Sequence, residues 1–459
     1  MASLADKIYL NSPHFFQGIL ISFYNYRAYK ARYGKFYKDY LNEYKQSEKI
    51  KLNELLEIQD KKLVDLFNHA KNNSQFYYDL YKDIHLKEGS SLNDIEKLPI
   101  INKELLRKNI SNISTIPKNQ GVISKTGGTT GKSLEVIYTK KNLQERFAIL
   151  DLFRNSHGYE LGKKTAWFSG KNLLSKKDIK KNRFWKTDSF HNVRYYSTFH
   201  IHQKYLKFYI ENLIRYKPEF MVGFPSTMYE LAKYGIDNKI SFPSGTIKAI
   251  FPTAETITQE LRFVIESFFK TRLYNQYASS EGAPFIIECN HGRLHQDLRS
   301  GVFEVLDENN KPTNKGRLVV TSFTSYGTPL IRYDIGDVIE LTNEKCTCGN
   351  SNPIVKSILG RISDYIYSEE MGKINLGNVS NCLKGVTGVI KFQVIQNVLH
   401  EIDIIIQTDE SFKKKDELVL LRNFRYRLGN KLKINLIKSK NIHVEKSGKF
   451  RIVKNNLNL

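Results

Sequence analysis

The stretch Ser124-Lys-Thr-Gly-Gly-Thr-Thr-Gly-Lys-Ser133 decides how the rest of the chain is read. Three glycines and three threonines between strand-like runs let backbone N–H groups converge on an anion, and Lys132 adds a charged donor. The phosphate loop of ordinary NTPases needs Gly at position 126, where Thr126 stands. The spacing also misses the dinucleotide fingerprint. Read alone, the stretch is either a phosphate cradle or a hairpin turn rich in Gly and Thr.

The surroundings favour an α/β protein. Residues 14–84 carry apolar and aromatic positions at three- and four-residue intervals with almost no Gly or Pro, which predicts helices. From about 98 to 345, short β-branched runs such as Leu134 to Tyr138, Ala166 to Ser169, Ala249 to Pro252 and Arg317 to Thr321 alternate with amphipathic stretches. After Gly360 a smaller α+β pattern follows: strands at Lys391 to Gln396 and Glu401 to Gln407, a helix at Asp416 to Leu428, then strands at Lys433 to Ile437 and Ile442 to Glu445. The expected fold is therefore a large α/β body of helix-covered sheets with a small α+β unit at its carboxy end. Its parts are a helical region over 1–97 packed on the body, the body over 98–360, and a mobile lid over 361–459.

Composition narrows the function classes. The 459 residues carry 71 Lys/Arg against 47 Asp/Glu, a net charge of +24. The excess is spread out: residues 361–459 alone hold 18 basic and 10 acidic residues. An even positive surface suits an anionic substrate, and no nucleic-acid partner is expected. The most apolar early run, Phe15 to Tyr24, is far short of the roughly 20 residues needed to cross a bilayer. No secretory signal pattern opens the chain, and four cysteines make no disulfide framework, so a cytoplasmic setting is expected. The aromatic, basic segment 13–33 either packs on the body or touches a membrane surface weakly.

The order of further motifs carries a resemblance. Thr126-Gly-Gly-Thr-Thr-Gly-Lys132 is followed by Gly223-Phe-Pro-Ser226, Thr253-Ala-Glu255 and Tyr277-Ala-Ser-Ser-Glu281. Then come Arg332-Tyr-Asp-Ile-Gly-Asp337, Gly360-Arg-Ile-Ser-Asp364 and Ser447-Gly-Lys449. This succession, over about residues 70–455, resembles the adenylate-forming superfamily, in particular its phenylacetate–CoA ligase branch and the CapK-type relatives of capsular-polysaccharide biosynthesis. The resemblance implies a ligase that activates a carboxylic acid as acyl-AMP with release of pyrophosphate. The acyl group would then pass to an amine in surface-polysaccharide synthesis or, alternatively, to the thiol of CoA. A basic scaffold on a degenerate ligase fold and a nucleic-acid-binding protein are the rival classes, and intact Glu281, Asp337 and Lys449 argue against the scaffold.

Roles follow from the resemblance residue by residue. Thr126, Gly128, Thr129, Thr130, Gly131 and Lys132 would cradle the ATP phosphates, with Thr129 close to the chemistry. Tyr277 would stack on adenine, with Ala254, Glu255 and Ser280 beside the nucleotide. Glu281 would hold Mg²⁺. Asp337 would accept the ribose hydroxyls, and Arg361 would sit by the ribose or phosphate. Lys449 would offset charge as carboxylate and phosphate approach. Gly223, Phe224, Pro225, Ala278 and Ser279 would line the acid pocket. Departures from the family pattern are Gly127 in place of a hydroxyl residue, Ser133 in place of Pro, and Ala254 and Ala278 in place of Gly. Ser363 also replaces the first acid of a hinge pair.

Cys289, His295, Cys346 and Cys348 offer three thiolates and an imidazole, the inventory of a closed structural Zn²⁺ site, with His291 a rival to His295. Cys382 has no partner in this scheme and reads as core.

Overall fold

The computed structural model describes residues 9–457 apart from 88, 126–133, 171–172, 202, 362–364, 376–378, 380, 384 and 443–449. Helices His14–Arg32, Lys35–Gln46, Leu52–Asn73 and Gln75–Leu80 occupy the segment whose period predicted them. The third buries Leu63, Leu66, Phe67 and Ala70, spaced three and four apart, against Leu318, Val320 and Tyr333 of the largest sheet. The amino-terminal helices therefore share a core with the body, and Phe67→Ala would cost about 3–5 kcal/mol.

The strands, in chain order, begin with β1 (Ile101–Asn102) and the hairpin β2 (Val122–Lys125) and β3 (Glu135–Tyr138). Next come β4 (Thr165–Ser169), β5 (Trp185–Asp188), β6 (Val193–Ser197), β7 (Phe220–Gly223) and β8 (Ala249–Pro252). These form a sheet of order β5-β6-β4-β7-β8, parallel except for the β5 edge. β7 and β8 are buried at every position, as strands covered on both faces must be, whereas edge strand β5 alternates. Gly223 ends β7 at φ +137, and a Cβ there would lie 2.0 Å from the Phe168 carbonyl oxygen, so only glycine fits.

The second sheet contains β9 (Gln276–Tyr277), β10 (Ile286–Glu288), β11 (Leu294–Gln296), β12 (Gly301–Leu306), β13 (Lys315–Ser322), β14 (Tyr333–Thr342) and β15 (Ile354–Arg361). Its order is β12-β13-β14-β15-β11-β10-β9, with β1 pairing parallel to β14.

The carboxy-terminal unit holds the pair β16 (Tyr365–Ser368) and β17 (Gly372–Asn375) and the sheet β20-β19-β18-β21. The strands of that sheet are β18 (Val389–Val398), β19 (Glu401–Thr408), β20 (Lys433–Lys438) and β21 (Val453–Asn455). Ile402, Ile404 and Ile406 alternate inward along β19 and join Leu420, Phe424 and Leu428 of helix Lys414–Leu428 in a separate core, which also contains Cys382.

Of the strand expected at Ile442 to Glu445, residues 443–445 lie outside the described residues, and Ile442 itself is not part of a strand. Among the described residues the last strand is β21, which pairs parallel with β18 through Val394 and Val453. Sequence alternation is uninformative over so short a strand, and the pairing partner decides it. Among the described residues, no helix is long and apolar enough to cross a membrane.

Candidate active site

A cleft of about 700 Å³ lies between the two sheets of the body and the end of the carboxy-terminal unit. Its walls include Thr253 to Gln259, Tyr277 to Glu281 and Asp337, and the other unit contributes Phe450 to Val453.

The Tyr277 hydroxyl donates to Asp337 Oδ2 at 2.6 Å. These residues stand on β9 and β14, four strand spacings apart in the sheet order. In a flat sheet that is about 19 Å, beyond the joint reach of the two side chains. The sheet must therefore coil strongly, and the coiling makes the cleft. Asp337 also pairs in register with Arg361, whose backbone is thereby set opposite it.

Glu281 is buried and forms an ion pair at 2.9 Å with Lys103 Nζ. Lys103 opens helix Lys103–Lys108, whose first turn is capped by Asn102, and the β1–β14 pairing carries that helix start to the cleft. Sequence reasoning missed Lys103, because one lysine after a short strand carries no signal on so basic a chain. A buried carboxylate paired with an ammonium and reachable from a cleft can exchange that ion pair for a hard divalent cation.

The segment between Tyr277 and Glu281 is braced from behind. Arg146 is itself buried, and its Nη1 donates to the carbonyls of Gly282 (2.9 Å) and Ala283 (3.0 Å) and to Thr324 Oγ1 (2.7 Å). The Tyr138 hydroxyl donates to the Ser280 carbonyl at 3.1 Å, and burial pushes its pKa up. Ser279 Oγ accepts from the N–H groups of Gly282 and Ala283, so this side chain closes its own turn. Arg146, Tyr138 and Ser279 thus fix the backbone that presents Tyr277 and Glu281.

Ala254 adopts φ 68, a left-handed conformation in which Ala is strained and Gly is not. The turn presents Glu255, whose carboxylate accepts from the Ser226 N–H (2.9 Å), from Ser226 Oγ (3.0 Å) and from the Phe450 N–H (3.3 Å). Glu255 therefore links the first turn of helix Pro225–Asp237 to the carboxy-terminal unit, one residue after Lys449. The same helix carries Glu230 against β18, and burial pushes its carboxyl up to about 7, with Lys391 offsetting part of the cost.

Of the residues expected to line an acid pocket, Ala278 and Ser279 border the cleft, while Gly223, Phe224 and Pro225 do not. Gly223 is packed on Phe168, the Phe224 N–H bonds the Phe168 carbonyl, and Pro225 starts a helix. Thr126, Gly128, Thr129, Thr130, Gly131, Lys132 and Lys449 lie outside the described residues, as does the side chain of Arg361. The flanking strands β2 and β3 pair from Val122↔Tyr138 to Lys125↔Glu135, so the described residues on either side of 126–133 stand opposite one another.

Cys289, His295, Cys346 and Cys348 do converge: their ligand atoms lie within 4.8 Å of one another. The Sγ atoms of Cys289 and Cys346 are 3.7 Å apart, and Cys348 Sγ is 3.5 Å from His295 Nε2. Tetrahedral Zn²⁺ with ordinary bond lengths sets S···S at about 3.8 Å and S···N at about 3.6 Å. His295 Nδ1 faces the Asn352 carbonyl at 3.0 Å, which leaves Nε2 for a metal. His291 is turned to Thr347 Oγ1 at 2.9 Å instead. The residues present fit such an ion.

The family model described as the CapK C-terminal domain matches residues 366–456. The chain is 34% identical to Protein CapK of Staphylococcus aureus, over 99% of this chain and 100% of that protein. It is 26% identical to the phenylacetate-coenzyme A ligase of Thermus thermophilus, over 48% of this chain and 55% of that one. Among solved structures, 2-hydroxyisobutyryl-CoA ligase in the postadenylation state with 2-HIB-AMP superposes with a TM-score of 0.72 at 17% identity, covering 89% of this chain and 91% of that one. The same ligase in an open conformation superposes with a TM-score of 0.55, at 17% identity and with 88% and 92% covered.

Proposed function

The chain belongs to the CapK family of the adenylate-forming superfamily, and from that premise we propose that it is an ATP-consuming ligase which activates a carboxylic acid as its acyl-AMP. The observation that carries this reading is the Tyr277–Asp337 pair and Glu281 facing one cleft, closed by the segment that follows Lys449.

In the reaction a carboxylate oxygen attacks the α-phosphorus of ATP, a P–O bond to the acid forms, and pyrophosphate leaves. Tyr277 offers a flat wall to adenine, and Asp337 exchanges the Tyr277 hydroxyl for those of the ribose. Thr126, Gly128, Thr129, Thr130, Gly131 and Lys132 hold the departing phosphates, with Arg361 near the ribose. Ala254, Glu255 and Ser280 frame the nucleotide, and Ala278 and Ser279 border the acid. Lys449 neutralises the approach of two anions, and Glu255 sets its neighbour Phe450 against the body. Mg²⁺ on Glu281 would supply charge neutralisation at the phosphates, with Lys103 displaced. Catalysis then rests on proximity and preorganised charge rather than covalent help from the protein. Zn²⁺ on Cys289, His295, Cys346 and Cys348 would be structural, since a full ligand set leaves no open position.

The acceptor we favour is an amine in surface-polysaccharide synthesis, the setting that membership of the CapK family suggests. A second reading, CoA thiol as acceptor, is supported by the names of the two ligases that the chain resembles in part or in fold. Quantifying AMP and pyrophosphate across panels of acids and amines, with and without CoA, tests both. Acid-dependent AMP and pyrophosphate are expected, whereas ADP and phosphate would overturn the acyl-AMP reading.

A further inference from the structure

The helix His14–Arg32 docks on the body by its polar side. Its buried residues are Gln17, Ile21, Ser22 and Asn25, three of the four polar. Asn25 Nδ2 donates to Asp188 Oδ2 at 2.7 Å, and the Ser189 N–H donates to Ser22 Oγ at 3.1 Å. Gln17 and His14 meet Lys186, a fully buried ammonium whose counter-charge is Asp178 at 2.8 Å. These bonds fix which face of the helix looks outward.

That outward face is aromatic. Phe15 is 78% exposed, Phe16 52%, Phe23 58%, Tyr24 71% and Tyr26 55%, and Phe190, edge-on to Phe23, is 59% exposed. The amphipathic rule for a helix on a soluble body is thereby inverted, with polar groups inside and aromatic rings in water. A contiguous patch of this kind marks an interaction surface. Charge says which surface. There is no Asp or Glu between Asp6 and Asp39, while Arg27 and Lys30 are exposed on the helix itself. At 100° per residue, Phe15, Phe23, Tyr26, Arg27 and Lys30 fall within one 120° sector, so rings and cations face the same way. Aromatic rings at headgroup depth beside unopposed cations match an anionic lipid surface.

We propose that the face formed by Phe15, Phe16, Phe23, Tyr24, Tyr26 and Phe190 seats this protein on an anionic membrane, with Arg27 and Lys30 against the lipid phosphates. The rings enter the interface without spanning it, and the polar anchoring face stays on the body. Binding is reversible and salt-sensitive, because one amphipathic helix and two cations give marginal membrane affinity.

The test is co-sedimentation of the full chain with vesicles of phosphatidylglycerol and phosphatidylcholine in equal parts, and with phosphatidylcholine alone. Binding to the first, weakened by salt and on the order of tenfold weaker on the second, is the expected result. The triple variant Phe15→Ser, Phe16→Ser, Phe23→Ser should lose binding by about tenfold or more. The double variant Arg27→Glu, Lys30→Glu should lose only the preference for anionic lipid. Both replace exposed side chains, and their melting temperatures identify any folding defect. The wild type staying in the supernatant with both vesicles would overturn the proposal. So would light scattering that shows a dimer dissociated by the triple variant, since a second copy would then cover the face.

Discussion

Replacing Cys346 by Ser tests the metal reading, and its cost follows from chain connectivity. Cys289 and Cys346 are 57 residues apart, yet their sulfurs lie 3.7 Å from each other. A metal joining them closes a loop of about 58 residues, and the chain-entropy relation for such a cross-link gives about 4 kcal/mol at 25 °C. For a unit of this size about 2 °C is lost per kcal/mol, so Cys346→Ser should melt about 8 °C below the wild type. The assay pairs calorimetry with elemental analysis of protein purified without chelator or histidine tag. Wild type should carry one zinc per chain and the variant none. Chelation should bring the wild type down to the variant and leave the variant unmoved, because both treatments remove the same link. Cys382→Ala is the control for losing a cysteine, since Cys382 lies in the carboxy-terminal core and should leave zinc content intact. Zinc-free wild type, or a variant that melts with it, would refute the argument.

Three further outcomes are expected. Lys449→Ala should slow acyl-AMP formation by on the order of 10² to 10³ while transfer from supplied acyl-AMP persists; normal adenylation would remove Lys449 from the site. Glu230→Gln should stabilise the protein above pH 7 by about 1–3 kcal/mol. The native carboxyl, raised to about 7, holds a proton that the unfolded chain releases nearer its ordinary value. Wild-type stability therefore falls as pH rises between those values, and the gap between the proteins should close near pH 4; a gap independent of pH would refute this. Lys103→Met should destabilise nucleotide-free protein by about 2–3 kcal/mol, at the low end for a broken buried pair because Lys103 keeps a quarter of its side chain in water. Unchanged melting would mean that the Lys103–Glu281 pair contributes nothing.

The sequence by itself determined what is local or ordered along the chain. Helix period fixed the amino-terminal helices, because burying Leu63, Leu66, Phe67 and Ala70 together requires that spacing. The short apolar run Ala249 to Pro252 marked β8, and the succession of motifs marked the family. It also named Cys289, Cys346 and Cys348 with either His295 or His291, since few side chains other than Cys and His make such a set. What it could not contain was anything decided by contact between distant segments. The coiling of one sheet brings Tyr277 to Asp337, and a parallel pairing of two residues in β1 brings Lys103 to Glu281. Folding tells His295 from His291, by setting the first against Cys348 and the Asn352 carbonyl and the second against Thr347, and only the partner β18 makes a strand of β21. The helix His14–Arg32 shows the limit most plainly. Its sequence displays rings and polar groups on opposite sides, and local hydrophobicity predicts the rings inside. The buried charges of Asp178, Lys186 and Asp188 required polar partners, and satisfying them turned the rings outward.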